Sequence, residues 1–270
     1  MAQHKARKRF GQNFLHDHHI ISNILGSLEY TQPQHWVEIG PGQGALTESL
    51  LQDGIQLDVV ELDRDLVRFL GNKFADYANL TIHSSDALRF DFASLSHNNE
   101  KIHILGNLPY NISTPLMFHL LENTPLIADM TFMLQKEVVD RICAEPGSKK
   151  YGRLSVMMQY YCETDHLFDV PPESFNPAPK VMSSIVRLTP HEQAPVEIES
   201  IATLNTVVTA AFSQRRKTLR NSLKKLILET NIIALDIDPV RRAETLSLAE
   251  FANISEFVLN NPLEEIEETP

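Results

Sequence analysis

From about Trp36 to Gln135 the chain alternates short β-rich apolar runs with helix-like segments: HWVEI then ALTESLLQ, LDVVEL then DLVRFLGNKFA, NLTIH, KIHILG then PLMFHLLE, and ADMTFML. Strands separated by helices cannot pair as hairpins; they pair in parallel, with the helices crossing over the faces of the sheet. The expected fold class is therefore α/β, a Rossmann-like and mostly parallel sheet. Such sheets bind ligands at the carboxyl ends of their strands, so the residues just after each run are where chemistry is to be sought.

Beyond Gln135 the pattern changes. A helix is expected over KEVVDRICAE, then a flexible EPGSKKYG connection and another apolar stretch, LSVMMQYYC. Two strand candidates, HLFDV and SSIVRL, flank PPESFNPAPK, whose prolines exclude helix. After a shift in composition at His191–Pro195, helical periodicity returns over Ile201–Phe212, Thr218–Leu228 and Leu248–Leu259. The economical division is a domain over 1–189 and a small helical domain over 190–270, ending in an acidic tail, PLEEIEETP. At 270 residues and 43% hydrophobic the chain can bury one large core and a smaller one.

No apolar run approaches the ~20 residues a membrane span requires, and MAQHKARKRF has no apolar segment behind its cations. A cytoplasmic protein without a membrane partner is expected. Cys143 and Cys162 are too few for a disulfide framework and are expected to be buried thiols. His16, His18 and His19 crowd Asp17, but adjacent histidines on a short segment read as solvent-facing, and no metal is expected.

The first strand ends in Glu38-Ile-Gly40-Pro-Gly42-Gln-Gly44. Glycines at that turn let the backbone pass close to a ligand, and their spacing departs from the G-x-G-x-x-G of dinucleotide enzymes. The second strand ends at Glu61, where a carboxylate accepts hydrogen bonds from both vicinal hydroxyls of a ribose. The third is followed by Asp86, which can accept from the amine of an adenine ring. Either acid alone could simply cap a turn; together, downstream of the glycine turn, they point to a nucleoside site.

The fourth strand runs into Asn107-Leu108-Pro109-Tyr110. An adenine N6 lone pair is delocalised into the ring and must become more tetrahedral to attack a methyl group. The Asn107 side-chain oxygen and the Leu108 carbonyl, aimed at the two N6 hydrogens, would favour that geometry. Tyr110 offers a ring on which a flipped base can stack. With an electrophile already activated as a sulfonium, catalysis is mostly positioning and preorganised hydrogen bonding, and needs no strong general base. In isolation the tetrapeptide would read as a proline turn; its place after a sheet strand favours chemistry.

Charge is unevenly spread. The formal net charge is −11, yet Lys5, Arg7, Lys8 and Arg9 crowd the N-terminus. Arg215, Arg216, Lys217, Arg220, Lys224 and Lys225 lie in a stretch, Ser200–Leu228, that lacks Asp and Glu. The second island is the stronger candidate for binding a polyanion.

Together KARKRFGQNFL, VEIGPGQGALT, VVELDRDL, GNLPYNISTPLMFHLL, FMLQKEVVDR, YGRLSVMMQYY, FNPAPKV and FSQRRKTLRNSL resemble the ribosomal RNA adenine N6,N6-dimethyltransferase family, nearly end to end. In particular they resemble its bacterial small-subunit branch, which modifies two adjacent adenosines near the 3′ end of 16S rRNA. The resemblance implies an S-adenosylmethionine-dependent methyltransferase domain with a seven-stranded sheet, one antiparallel strand at its edge, and a helical domain. It implies that Asn13 and Leu15 touch the cofactor, that Gly40 and Gly42 line its methionine end, Glu61 its ribose and Asp86 its adenine, with Asn107 between cofactor and target base. Phe175 would cover the other face of that base, or else anchor a rigid loop in the core. A helix opening with Arg215, Arg216 and Lys217, and continuing through Arg220, would grip RNA backbone. A monomer acting on 16S rRNA within the small ribosomal subunit is expected. Leu108 stands where DNA amine methyltransferases usually carry a second proline, which suits the RNA branch.

Three rivals follow. A methyltransferase acting on large-subunit RNA would share the same chemistry. A ribosome-assembly factor with lost catalysis is opposed by the intact Asn107, Pro109 and Tyr110. A nicotinamide-dependent dehydrogenase is opposed by the glycine spacing.

Overall fold

The computed structural model describes residues 12–28, 34–96 and 100–262. The N-terminal cations Lys5, Arg7, Lys8 and Arg9 and the acidic tail after Pro262 lie outside the described residues.

The strands are β1 (Phe14–Leu15), β2 (His35–Ile39), β3 (Gln56–Glu61), β4 (Leu80–Ser84), β5 (Ile102–Asn107), β6 (Ile127–Gln135), β7 (Cys162–Val170), β8 (Phe175–Asn176) and β9 (Ser183–Pro190). The helices are α1 (His18–Ser27), α2 (Thr47–Gln52), α3 (Arg64–Lys73), α4 (Ser113–Leu121), α5 (Lys136–Ile142), α6 (Arg153–Tyr161), α7 (Ile201–Phe212), α8 (Leu219–Ser222), α9 (Glu229–Ala234) and α10 (Leu248–Asn260). The chain divides into two compact units. One takes the described residues up to Val139 together with Glu163–Pro190; the other takes Asp140–Cys162 together with the described residues from His191 onward. The linear division at 189 places residues 140–162 in the first domain; here they group with the described residues from His191 onward.

In the first unit the sheet has the order β4-β3-β2-β5-β6-β9-β7. The pairs β2–β3, β2–β5, β3–β4 and β5–β6 are parallel, and β6–β9 is antiparallel. The antiparallel strand expected at the edge is β9, and it lies one place in: β7 holds the edge. The central strands are apolar on both faces because helices cover both; Val37, Leu57, Val59 and Ile104 are fully buried. Chain order places the starts of β2 and β5 side by side, so the loops after Ile39 and Asn107 emerge at the same sheet edge. A separate pair, β1 with β8, brings Leu15 opposite Phe175.

In the second unit α7 buries Leu204, Val207, Val208 and Ala211, a stripe at helical spacing. The Phe212 ring lies 5.8 Å from Phe251 on α10 and 6.1 Å from Tyr151. Ser200 caps α7 by accepting from the Thr203 N–H at 3.2 Å, and Ser247 with Glu250 forms a reciprocal capping box on α10.

The helix expected over Thr218–Leu228 is mostly turns. Only Leu219–Ser222 is helical, α9 follows at Glu229, and the chain at Gln214–Lys217 closes a turn through the Lys217 N–H on the Gln214 carbonyl. Arg215, Arg216 and Lys217 therefore sit on a turn and do not open a helix. A run of cations without a carboxylate three or four places away lacks the side-chain pairs that would support a continuous helix.

Candidate active site

The loops after β2, β3, β4 and β5, with the segment Gln12–Leu15, enclose a cavity of about 360 Å³. Asn13, Leu15, Gly40, Gly42, Glu61, Asp86, Asn107, Leu108 and Tyr110 all line it. Nine positions spread over nearly one hundred residues of sequence thus share one cleft.

The floor is the glycine turn. Gly40, Gly42 and Gly44 have φ of 67°, 59° and 78°, the left-handed region that side chains disfavour. A Cβ on Gly42 would lie 3.0 Å from the Phe14 ring, so the strap of residues 12–15 rests directly on that turn. Gln12 Nε2 donates to Asp63 at 3.2 Å, and Asn107 Nδ2 donates to the Asn13 carbonyl at 3.0 Å.

The two acids act as turn residues and as cavity wall at once. Glu61 Oε1 accepts from the Asp63 N–H at 2.8 Å. Burial pushes the Glu61 carboxyl above its ordinary value, while the Asp63 and Gly42 amides draw it back. Asp86 Oδ1 accepts from the Leu88 N–H at 3.0 Å. Both carboxylates line the cavity, and carboxylate oxygens have the lone pairs to accept from a ligand hydroxyl or amine.

The 107–112 turn, which also lines the cavity, is pinned on both sides. The Leu108 N–H donates to the Met133 carbonyl at 3.2 Å, Ile112 N–H to Pro109 at 3.1 Å, and Ser113 Oγ to the Tyr110 carbonyl at 3.2 Å. The Tyr110 hydroxyl bonds Ser183 Oγ at 2.8 Å.

Two residues escaped the reading of the sequence, one in the cavity wall and one bonded to Tyr110. Glu38 lines the cavity at 2% exposure. Burial pushes its carboxyl up to about 7, opposed by the Thr47 hydroxyl, which donates to Oε2 at 2.5 Å, and reinforced by the charge of Glu61. The signal was present, since an acid inside a buried parallel strand is an anomaly. Ser183 carried no signal, because its partner lies 73 residues away.

Phe175 lies elsewhere. It is 3% exposed, packs in the apolar cluster with Leu15, Val170 and Ile185, and is absent from the cavity wall. That burial fits the second of its two readings, a core anchor for the loop. Asp17, beside the N-terminal histidines, caps α1 by accepting from the His19 N–H at 2.9 Å. Cys162 is buried, with its thiol pushed up to about 12 by burial; Cys143 is only half-buried.

The cations of the second unit fall into two kinds. Arg215 donates to the Lys149 carbonyl and lies 3.5 Å from Glu244, and Arg220 lies 3.4 Å from Glu229. Arg216, Lys217, Lys224 and Lys225 are exposed and make no ion pair among the described residues. Also among the described residues, no helix is long and apolar enough to cross a membrane.

The sequence profile of the ribosomal RNA adenine dimethylase family matches residues 3–260. The chain belongs to that family. A ribosomal RNA small subunit methyltransferase A from Hahella chejuensis is 55% identical over 261 residues, 97% of this chain and 96% of that one. A solved dimethyladenosine transferase from Plasmodium falciparum superposes with a TM-score of 0.77 at 25% identity, covering 89% of this chain and 95% of the other. The 23S rRNA methyltransferase ErmE shares the fold at a TM-score of 0.68 and 23% identity, over 92% of this chain and all of that one. The family assignment makes the chain an rRNA adenine dimethyltransferase with a Rossmann-like sheet and a helical C-terminal part, and removes the dehydrogenase reading.

Proposed function

We propose that this family member transfers methyl groups from S-adenosylmethionine to N6 of two adjacent adenosines near the 3′ end of 16S rRNA, giving N6,N6-dimethyladenosines in the small ribosomal subunit. It acts as a cytoplasmic monomer in small-subunit biogenesis, with 16S rRNA within that subunit as its partner. The observation that carries this reading is the shared wall of one cavity: Gly40, Glu61 and Asp86, suited to a nucleoside, line it together with the turn from Asn107 to Tyr110. The name of the small-subunit relative directs the substrate choice.

The residues present fit the cofactor. The glycines of the turn let the backbone pass close to a charged amino-acid tail, and the carboxylates of Glu61 and Asp86 can accept from vicinal hydroxyls and from an exocyclic amine. When bound, S-adenosylmethionine supplies a methyl group on a positively charged sulfur. Asn107 then works through its side-chain oxygen. Its amide nitrogen is committed to Asn13, so Oδ1 is the atom left to accept from one N6 hydrogen, and the Leu108 carbonyl accepts from the other. Both acceptors draw N6 toward tetrahedral geometry, which frees its lone pair along the line of attack. The Tyr110 ring stacks on the extruded base. The proton of the alkylated amine leaves to water, and a second turnover repeats the transfer on the monomethylated nitrogen. Arg215, Arg216, Lys217 and Arg220 hold phosphates, which sets affinity and not base choice.

The test is methylation by the purified protein of immature 30S particles against naked 23S RNA. Dimethylated adenosine in the 16S RNA alone supports the reading; incorporation into 23S RNA alone overturns it. Mass spectrometry of small-subunit RNA from cells lacking the protein should show two unmodified adenosines.

A further inference from the structure

We propose that Ser183 is a positioning residue for the methyl-transfer step, acting through the ring of Tyr110. The inference rests on the reading of Tyr110 as the platform for the target base.

The backbone of Tyr110 has little freedom. Leu108 is held by Met133 on β6, and the Tyr110 carbonyl is held by Ser113 at the first residue of α4. What remains free is rotation of the side chain about its two torsions. A tyrosine ring that is half-buried against a cavity can swing about those torsions unless its far end is held. That far end, the hydroxyl, bonds Ser183 Oγ at 2.8 Å.

Ser183 is a fixed point. It is fully buried, opens β9, and pairs with Gln135 in the antiparallel β6–β9 ladder. Its neighbour Ser184 donates to Asp169 at 2.7 Å, and Asp169 is bridged to Lys136 at 2.9 Å by both carboxylate oxygens. The Lys136 N–H in turn donates to the Met182 carbonyl at 3.0 Å. The residue preceding Ser183 and the one following it are thus each tied down, so the Ser183 hydroxyl cannot follow the ring if the ring moves. Burial raises the Tyr110 hydroxyl above its ordinary value, so it stays protonated and can donate at physiological pH.

The bond joins the antiparallel strand β9 to the turn that carries the chemistry. Its job is to set the plane of the Tyr110 ring, and through it the approach of N6 to the methyl group. A stacked base displaced by about 1 Å can cost on the order of a hundredfold in rate. A merely structural Ser183 would give its hydroxyl to Tyr110 only to satisfy two buried polar atoms, and its loss would lower stability without touching the chemical step.

The experiment is a double-mutant cycle on the full-length protein with Ser183→Ala, Tyr110→Phe and both together. The readouts are single-turnover methylation of immature 30S particles, KM for those particles, and S-adenosylhomocysteine affinity by calorimetry. Ser183→Ala is expected to lower the transfer rate roughly tenfold, with KM and S-adenosylhomocysteine affinity unchanged. Tyr110→Phe, which leaves β9 intact, should fall by a similar factor, and the double variant should be no slower than the worse single one. A Ser183→Ala rate within about twofold of wild type, losses that multiply in the double variant, or a parallel loss of S-adenosylhomocysteine affinity would each overturn the proposal. Tyr110→Ala separates the two levels of the argument. If it methylates as wild type, the base-platform reading fails; if it is inactive while Ser183→Ala is not impaired, only the role of Ser183 fails.

Discussion

The side-chain amide of Asn107 donates to the main-chain carbonyl of Asn13 at 3.0 Å, across 94 residues of sequence. A carbonyl can only accept, so the atom of Asn107 facing it must be nitrogen, and the oxygen is directed to whatever enters from the other side. The strap over the cofactor cavity therefore sets the polarity of the group that meets the target amine.

Replacing Asn107 with Ala removes that oriented acceptor. Methyl transfer should fall by about two to three orders of magnitude, the scale seen when one preorganised polar group aimed at a transition state is lost. Binding to immature 30S particles, measured by sedimentation, should persist. Simultaneous loss of transfer and binding would contradict the separation of chemistry from docking.

Gly42→Ala meets two obstacles: φ of 59°, and a Cβ 3.0 Å from the Phe14 ring. The expected outcome is weaker S-adenosylhomocysteine binding, by roughly ten- to a hundredfold, with a modest loss of stability. Gly106→Ala should behave differently. Its Cβ would lie 2.5 Å from the Ile39 backbone carbonyl oxygen, between two parallel strands that cannot part. Thermal denaturation should show a destabilisation of about 3 kcal/mol or more, with folding yield lost before affinity can be measured.

Gly106 also shows where the sequence was mute. The strand–helix alternation, the glycine turn and the acids after β3 and β4 were legible because period, spacing and order are local properties. Contacts across the sheet are not local. Nothing in KIHILG marks its glycine as the point where Ile39 presses, and nothing in FNPAPKVMSS marks Ser183 as the partner of Tyr110. Phe175 left two readings open for the same reason. An aromatic beside prolines is equally consistent with a stacking ring and a buried anchor, and the pairing of β8 with β1 favours the anchor. The helix expected from Thr218 stops at Ser222: its apolar spacing is helical, but no carboxylate lies within Thr218–Leu228 to pair with its cations.

Glu38 gives the fold a pH dependence. Its carboxyl is raised by burial from 4.5 to about 7, so the folded state holds a proton that the unfolded state has released between those values. The resulting stabilisation is complete below about pH 4.5 and is lost as pH rises through about 7. Glu38→Gln cannot ionise and still accepts from Thr47. It should match wild type near pH 4.5 and exceed it above pH 7 by roughly 2–4 kcal/mol. Denaturant melts at the two pH values measure the difference; parallel curves would mean that Glu38 titrates as an exposed acid.

The unpaired cations of the second unit should dominate the salt dependence of RNA binding. Each phosphate neutralised releases counterions, so a plot of log affinity against log salt has a slope proportional to the cations engaged. Arg216 and Lys217 are exposed and without ion pairs among the described residues, so Arg216→Ala should reduce the slope by roughly 0.7–0.9. Arg215 has donors already spent on Lys149 and Glu244, so Arg215→Ala should reduce it by less. Neither change should alter the single-turnover rate once particles saturate the enzyme, because phosphate contacts position the protein and do not act on N6. Filter binding across a salt series, with 16S RNA fragments of fixed length, separates the two arginines. Equal slopes for both variants would show that the turn rearranges on RNA, with Arg215 released from its intramolecular partners.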